Sequence, residues 1–233
     1  MLLNTSNYTR LCVLFLISLL ISSFKFCTLI GKSFAYFSGM LFVAPLLGAF
    51  FSSPVAIVLT GLLVATKAFL FCYPVTGGIP TLFATLAWST HTQISKEKST
   101  CAHLFYFLVH AALPALCMTI FMTHASVGQG YVYALYWLIP IALYFSHLFF
   151  KINSIFTVAL SSTFIAHAVG STLWLFTIPI KPEQWLSLIP VVALERLVTT
   201  LGMTFLLLVA KKVFAYVQIK KQVAKSSILI NNL

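Results

Sequence analysis

Glu195 and Arg196 sit side by side in the apolar stretch Trp185–Ala210, and Glu195 is the one acid of the chain inside a hydrophobic segment. An ionised side chain near mid-membrane costs roughly 2.5–3.5 kcal/mol on insertion scales, so it is rare without a partner or a task. Lys67 lies two-thirds along another apolar stretch, Pro54–Tyr73. Adjacent residues of a helix point about 100° apart, so Glu195 and Arg196 are not expected to face each other. The expectation is that Glu195 approaches Lys67 across a helix interface and leaves Arg196 without a protein carboxylate. A guanidinium so placed offers a planar fork of donors to a carboxylate, a phosphate or a carbonyl group. The structural alternative is a helix–helix ion pair, with Arg196 reaching backbone carbonyls or lipid headgroups.

A second candidate is the stretch Tyr73-Pro-Val-Thr-Gly-Gly-Ile-Pro80. Two Pro and two Gly do not continue a helix. Non-helical backbone at membrane depth persists only where protein buries it or it lines a cavity. A helix N-terminus opening from such a break can hold an anionic group. The alternative is an ordinary loop at the outer surface. The candidate substrate-binding set is therefore Lys67, Thr76, Gly77, Gly78, Glu195 and Arg196. No catalytic set, bound metal or cofactor is expected.

His103, His110, Cys117 and His124 recur every seven residues along one helical stripe. Seven residues rise about 10.5 Å, too far for one ion, so the spacing excludes a metal site on this helix alone. Histidines satisfied between helices or at an interface are the expected account. The chain contains no Asp. That removes Ser-His-Asp triads and aspartyl dyads, and neither a nucleophile elbow nor H-E-x-x-H is present. A Ser–His dyad from Ser162 or Ser171 with His147 or His167 remains as the enzymatic alternative. Phosphate-loop and dinucleotide glycine patterns are missing too, so the chain is not expected to drive transport by its own hydrolysis of ATP.

The elements that must carry these residues are membrane helices. Of 233 residues, 61% are hydrophobic and 7% charged, and mean hydropathy is +1.03. A soluble domain of this size needs a far more polar surface, whereas lipid covers the apolar outside of a polytopic bundle. The reading is one all-α integral membrane domain, 1–210, followed by a basic cytoplasmic tail, 211–233. Candidate spans are Leu11–Ile30, Phe34–Phe51, Pro54–Tyr73, Ile79–Ile94, Cys101–Thr123, Tyr131–Phe150, Ile155–Ile178 and Trp185–Ala210. Phe34–Phe51 and Ile79–Ile94 are short for the ~20 residues a crossing needs, which gives six to eight transmembrane helices. Arg10 and the run Leu11–Leu20 suit a retained signal anchor, with no convincing cleavage site after them. The five Cys are scattered among apolar residues and read as reduced, buried thiols.

Basic residues orient the chain. Lys96 and Lys98, then Lys151, then Lys211, Lys212, Lys220, Lys221 and Lys225 mark alternate connections, so these and the C-terminus are expected in the cytoplasm. The expected membrane is a bacterial inner (plasma) membrane. The tail mixes Lys with Val213, Phe214, Tyr216, Val217 and Ile219, a composition suited to an anionic leaflet. The net charge of +11 is spread over span ends and is no nucleic-acid footprint. Small residues recur every four positions at Ala44-Gly48-Ser52, Gly61-Ala65 and Ser162-Ala166-Gly170, the pattern of close helix contacts. Trp88, Trp137, Trp174 and Trp185 are expected in interfacial belts.

From Phe34 to Trp88 the chain resembles the substrate-capture (S) subunits of energy-coupling-factor vitamin transporters. The resemblance rests on Phe-Ser-Gly-Met-Leu-Phe-Val-Ala-Pro-Leu-Leu-Gly-Ala-Phe-Phe, a further apolar span, and the turn Pro-Val-Thr-Gly-Gly-Ile-Pro opening a helix. It covers about a quarter of the chain. It implies a small, basic, all-helical protein of six helices that binds a vitamin or related precursor and uses an energising ATPase module as partner. Of the binding residues, it carries over the turn Thr76–Gly78. The reading reached from the sequence is a membrane small-molecule transporter, or a substrate-binding transporter subunit without its own ATPase. Its partners would be lipids and a small substrate, anionic or neutral. The alternatives are a non-catalytic membrane scaffold or assembly protein and, third, an intramembrane enzyme.

Overall fold

The structure, a computed structural model, describes residues 18–20, 25–30, 33–71, 75–97 and 99–230, with side chains at all of these except 25–30, 33–38, 71, 75–76, 214 and 217–230. Its inside and outside are inverted relative to a soluble protein. Thr60, Thr85, Ser162 and Thr200 are fully buried, while Phe69, Phe149, Phe150, Phe176 and Phe205 stand out from the surface. An exterior this apolar is stable only where lipid replaces water.

After a helical turn at residues 18–20 come two antiparallel strands forming a hairpin, β1 (Lys25–Ile30) and β2 (Ser33–Ser38), in register from Lys25↔Ser38 to Ile30↔Ser33. This corrects two candidate spans. Leu11–Ile30 ends in a strand, and its residues 11–17 and 21–24 lie outside the described residues. Phe34–Phe51 begins in a strand and continues as a short apolar segment, α1 (Met40–Phe50), in which Pro45 lies in a 3-10 turn, Ala44–Leu46, between two helical turns. Hydrophobicity summed over a window does not separate strand from helix, and here aromatic and β-branched content decides.

Six longer helices follow. They are α2 (Ser53–Phe71), α3 (Ile79–Lys96, entered by the 3-10 turn Val75–Gly78), α4 (Thr100–Thr123), α5 (Gly128–Phe150), α6 (Ile155–Thr177) and α7 (Pro182–Ile230). Five are long and apolar enough to cross a membrane, all but α3. The exception is instructive. α3 buries Thr81, Thr85, Ser89, Thr90 and His91 and packs most extensively on α6, the most enclosed of the five apolar spans. These two form the centre of the bundle, with α1, α2, α4, α5 and α7 placed against them. A helix surrounded by protein need not be apolar, so its composition understates its depth.

Small residues set the central contacts. A Cβ on Gly48 of α1 would lie 2.2 Å from the Thr85 carbonyl oxygen, so α1 meets α3 backbone to backbone. Along α6, Ser162 donates to the Ala84 carbonyl at 3.1 Å, Ala166 is buried and Gly170 meets Pro80. Two of the expected seams therefore hold α3 in place. The third does not pack internally among the described residues: Gly61 has open space beside it and Ala65 is exposed.

Local irregularities have local causes. In α4 the π turn Leu108–Ala112 precedes Pro114, whose ring in a regular α-helix would strike the carbonyl of His110 four residues back. Ser99 caps α4 and Ser154 caps α6 in a capping box with Thr157. α5 opens with a ten-residue 3-10 stretch, Gly128–Trp137, whose Gly130 is pressed against Trp185 of α7. Three tryptophans expected at the interfaces are core residues: Trp88, Trp137 and Trp185 are buried, Trp137 and Trp185 around Phe121 and Tyr133. Only Trp174 is well exposed. α7 runs without interruption from the membrane span into the basic stretch after residue 210.

Candidate functional site

Arg196 is 6% exposed in the bundle interior. Its Nη2 forms an ion pair with Glu195 Oε1, and its Nη1 donates to the Thr163 carbonyl of α6 at 3.2 Å. This corrects the expectation from helix geometry. Cβ directions of adjacent residues diverge by about 100°, but two long side chains close that gap by curling round the helix, so Glu195 satisfies its own neighbour. Among the described residues its ion pair is with Arg196 and not with Lys67. Lys67 is buried on α2, which packs on α3, while Glu195 belongs to α7, which packs on α6, α1 and the 3-10 stretch of α5.

The ion pair does not complete Arg196. Among the described residues its Nε is buried with no hydrogen-bond partner, as is Nε2 of His167, one turn along α6 from Thr163. Neighbouring hydroxyls are committed elsewhere. Thr199 donates to the Glu195 carbonyl at 2.8 Å, Thr200 to the Arg196 carbonyl at 2.7 Å, and Thr163 to the Leu160 carbonyl at 3.0 Å. The Tyr133 hydroxyl, within the electrostatic reach of Arg196 and Glu195, pairs with Ser171 at 3.2 Å, and the Tyr133 ring meets the His167 ring edge-on at 5.2 Å. The hydroxyls around Arg196 thus have acceptors while its Nε–H has none among the described residues. The buried indole N–H groups of Trp88, Trp137 and Trp185 also lack one, but of these donors only the Arg196 guanidinium is charged and lines the cavity described next. A buried unpaired donor in a native structure calls for an explanation such as water or a ligand.

Beside Arg196 is a cavity lined by Leu41 and Pro45 of α1, Thr81 and Ala84 of α3, Thr163 and Ala166 of α6, and Arg196, Thr199 and Met203 of α7. It offers about 10 Å³ of space to water centres, enough for roughly one water. The four elements meet there for reasons already in the sequence. Pro45 breaks α1, Pro80 starts α3, and the small seam of α6 admits both. The candidate turn residues are close in sequence but not on the cavity wall. Gly78 is pressed against Val64 of α2, Gly77 precedes it, and the Thr76 side chain lies outside the described residues. It is Thr81, three residues further, that reaches the cavity. Thr81, Thr163 and Thr199 were absent from the sequence-based set, although the Thr-rich start of α3 and the seam through Ala166 marked their helices.

A second polar cluster lies towards the Lys96 and Lys151 ends of α3 and α5. His110 Nδ1 and Ser161 Oγ are 2.9 Å apart, and His110 Nε2 is 3.1 Å from the Ala87 carbonyl and 3.3 Å from Thr90 Oγ1. With Nε2–H donating to Ala87, Nδ1 accepts from the Ser161 hydroxyl. His91 contacts Asn153 at 2.9 Å and Tyr106 at 3.4 Å, and Tyr106 stacks at a tilt on His110 with ring centres 4.2 Å apart. The buried Ser–His contact among the described residues is thus Ser161–His110. Ser162 and Ser171 are engaged with Ala84 and Tyr133. Both Ser161 and His110 are enclosed. The other members of the seven-residue stripe are local: His103 contacts the Ser99 carbonyl and His124 contacts Ser126.

No protein-family model, curated protein or solved structure matches the chain.

Proposed function

We propose that this is an integral membrane small-molecule transporter, or the substrate-binding subunit of one, with its site at Arg196. The observation that carries the reading is the Arg196 Nε, buried and without a hydrogen-bond partner among the described residues, beside a cavity walled by four separate elements. A buried donor left unpaired costs about 1–3 kcal/mol, a cost that function explains better than stability does. Broken and short helices meeting at a polar interior position are the usual construction of a transport site. The contact ends of α1 and α3 fall within the region that resembles energy-coupling-factor capture subunits, which supports a partner ATPase module in place of an internal one. The alternation of Lys-bearing connections supports a cytoplasmic C-terminus and a bacterial inner membrane.

A scaffold or assembly role is the second reading, favoured by the size of the cavity, which holds about one water. On the transport reading this is an occluded form that opens by movement of α1, the only wall that is not a long helix. An enzyme has the least support, because Ser161 and His110 are enclosed and neither is among the residues lining the Arg196 cavity. Thermal unfolding of the detergent-purified protein across a panel of vitamins, nucleobase precursors and small organic acids tests the proposal, since a ligand of the native state stabilises it. Transport predicts at least one stabilising compound whose effect is lost in Arg196→Gln. A panel with no stabilising member, and an Arg196→Gln protein that assembles normally, favours the scaffold.

A further inference from the structure

The Glu195–Arg196 pair bears on what the site takes. As it stands the pair is neutral, and the guanidinium presents Nη2 to Glu195, Nη1 to Thr163 and Nε to nothing among the described residues. The two partners are unequally enclosed: the Arg196 side chain is 7% exposed and that of Glu195 22%. Arg196 is anchored by α6 and faces the cavity, whereas Glu195 is outside the cavity lining and is the more movable member. Their bridge joins adjacent residues of one helix, so only side-chain rotation is needed to open it.

We propose that the ligand is a small monocarboxylate that replaces Glu195 on the Arg196 guanidinium, with Glu195 taking up a proton as it leaves. This rests on the transport reading above and names its substrate class and coupling. Charge conservation decides the stoichiometry. Before exchange the site holds Arg⁺ and Glu⁻. After exchange without a proton it would hold Arg⁺, ligand⁻ and Glu⁻, an uncompensated charge in the membrane interior. With one proton drawn from water onto Glu195, the site is neutral again. A monoanion fits this balance and a dianionic phosphate does not. The carboxylate's two oxygens match two donors of the fork, Nη2 and the unpartnered Nε, which an uncharged carbonyl does not displace Glu195 to reach. Among the described residues, the elements packed against the pair carry few other titratable groups. α6 contributes His167, the 3-10 stretch of α5 contributes Tyr133 and Tyr136, and the Met40–Val43 turn of α1 has none.

The test uses the full chain in detergent, with formate, acetate and benzoate as probes and formamide, acetamide and benzamide as uncharged controls. Binding is read by calorimetry and thermal shift at several pH values. The expected result is that carboxylates bind and amides do not, with affinity rising as pH falls, towards tenfold per pH unit where one proton is linked. Glu195→Gln should bind carboxylates with no pH dependence, and Arg196→Gln should not bind them. In the wild-type chain, which has no Asp and three Glu, infrared difference spectra should show a protonated carboxyl group appearing when carboxylate is added. That measurement stands even if Glu195→Gln fails to fold. Failure of every carboxylate to bind, equal binding of the amides, persistent pH dependence in Glu195→Gln, or no new carboxyl band would each overturn the inference. Stabilisation by amides or other neutral compounds alone would do so while leaving a transport site at Arg196 intact.

Discussion

His110 and His167 are both buried histidines of membrane helices, and their surroundings differ. His110 has both ring nitrogens engaged, one with Ser161 and one with Ala87 and Thr90, and a tyrosine ring lies over it. His167 has Nε2 unpartnered among the described residues, beside an arginine that is also incompletely bonded. The first cluster ties α3, α4 and α6 together and leaves nothing over. The second joins α5, α6 and α7 and retains donor capacity next to a cavity. Burial and residue type are the same in both, so neither distinguishes structural from functional polarity. The accounting of hydrogen bonds does, because a closed network stabilises and an open one has been kept for another reason.

The largest expected effect tests whether the Arg196 pair also holds the fold. Arg196→Met should cost about 3 kcal/mol, the low end for breaking a buried pair, because Glu195 keeps some exposure. Adding Glu195→Gln should recover much of this in a double-mutant cycle measured by unfolding in detergent; additive losses would show that the two side chains act independently. Next in size is the closed cluster. His110→Leu leaves the Ser161 hydroxyl unpaired, while the Ala87 carbonyl still accepts from Thr90, and should cost about 2 kcal/mol, with Ser161→Ala costing about 1 kcal/mol and the pair strongly coupled. A negligible loss in His110→Leu would remove the structural role assigned to it. His167→Leu should be the mild counterpart, within about 1 kcal/mol of wild type, since no described partner of Nε2 is left unsatisfied. If it destabilises as much as His110→Leu, the contrast between the clusters collapses. The smallest change is a reporter fused after Leu233, expected to leave stability unaltered and to be active in the cytoplasm. Activity on the opposite side would reverse the orientation drawn from the lysines.

Much of this was legible in the sequence, and the failures are informative. Composition pointed to a membrane bundle, and the Ser162-Ala166-Gly170 spacing marked α6 as a helix of close contacts, without saying that α3 is what it meets. α3 was marked as weak because Thr and His dilute its hydropathy, yet those residues put it at the centre, shielded from lipid by its neighbours. The hairpin was missed because Lys25–Ile30 and Ser33–Ser38 are apolar enough to pass for helix when only hydrophobicity is counted. Trp137 and Trp185 were placed at the interface by residue type, whereas Gly130 makes room for Trp185 in the core. Arg196 was recognised, but its partner was not: pairwise helix geometry treats side chains as directions, and Arg and Glu are long enough to bend between them. Thr163 escaped notice because its carbonyl, not its side chain, meets Arg196.

The difference between the clusters can be measured at two positions of nearly equal burial. Thr199 lines the cavity and is 2% exposed; Ser161 belongs to the closed cluster and is 3% exposed. In a chain with its five native Cys replaced, Thr199→Cys and Ser161→Cys can be compared for labelling by a small, membrane-impermeant thiol reagent in folded protein. If the Arg196 site opens to water, Thr199→Cys reacts and is protected by any ligand that stabilises the protein, while Ser161→Cys stays unreactive until unfolding. Equal resistance at both positions, or equal reaction, would contradict the division of the interior into a structural cluster and a functional one.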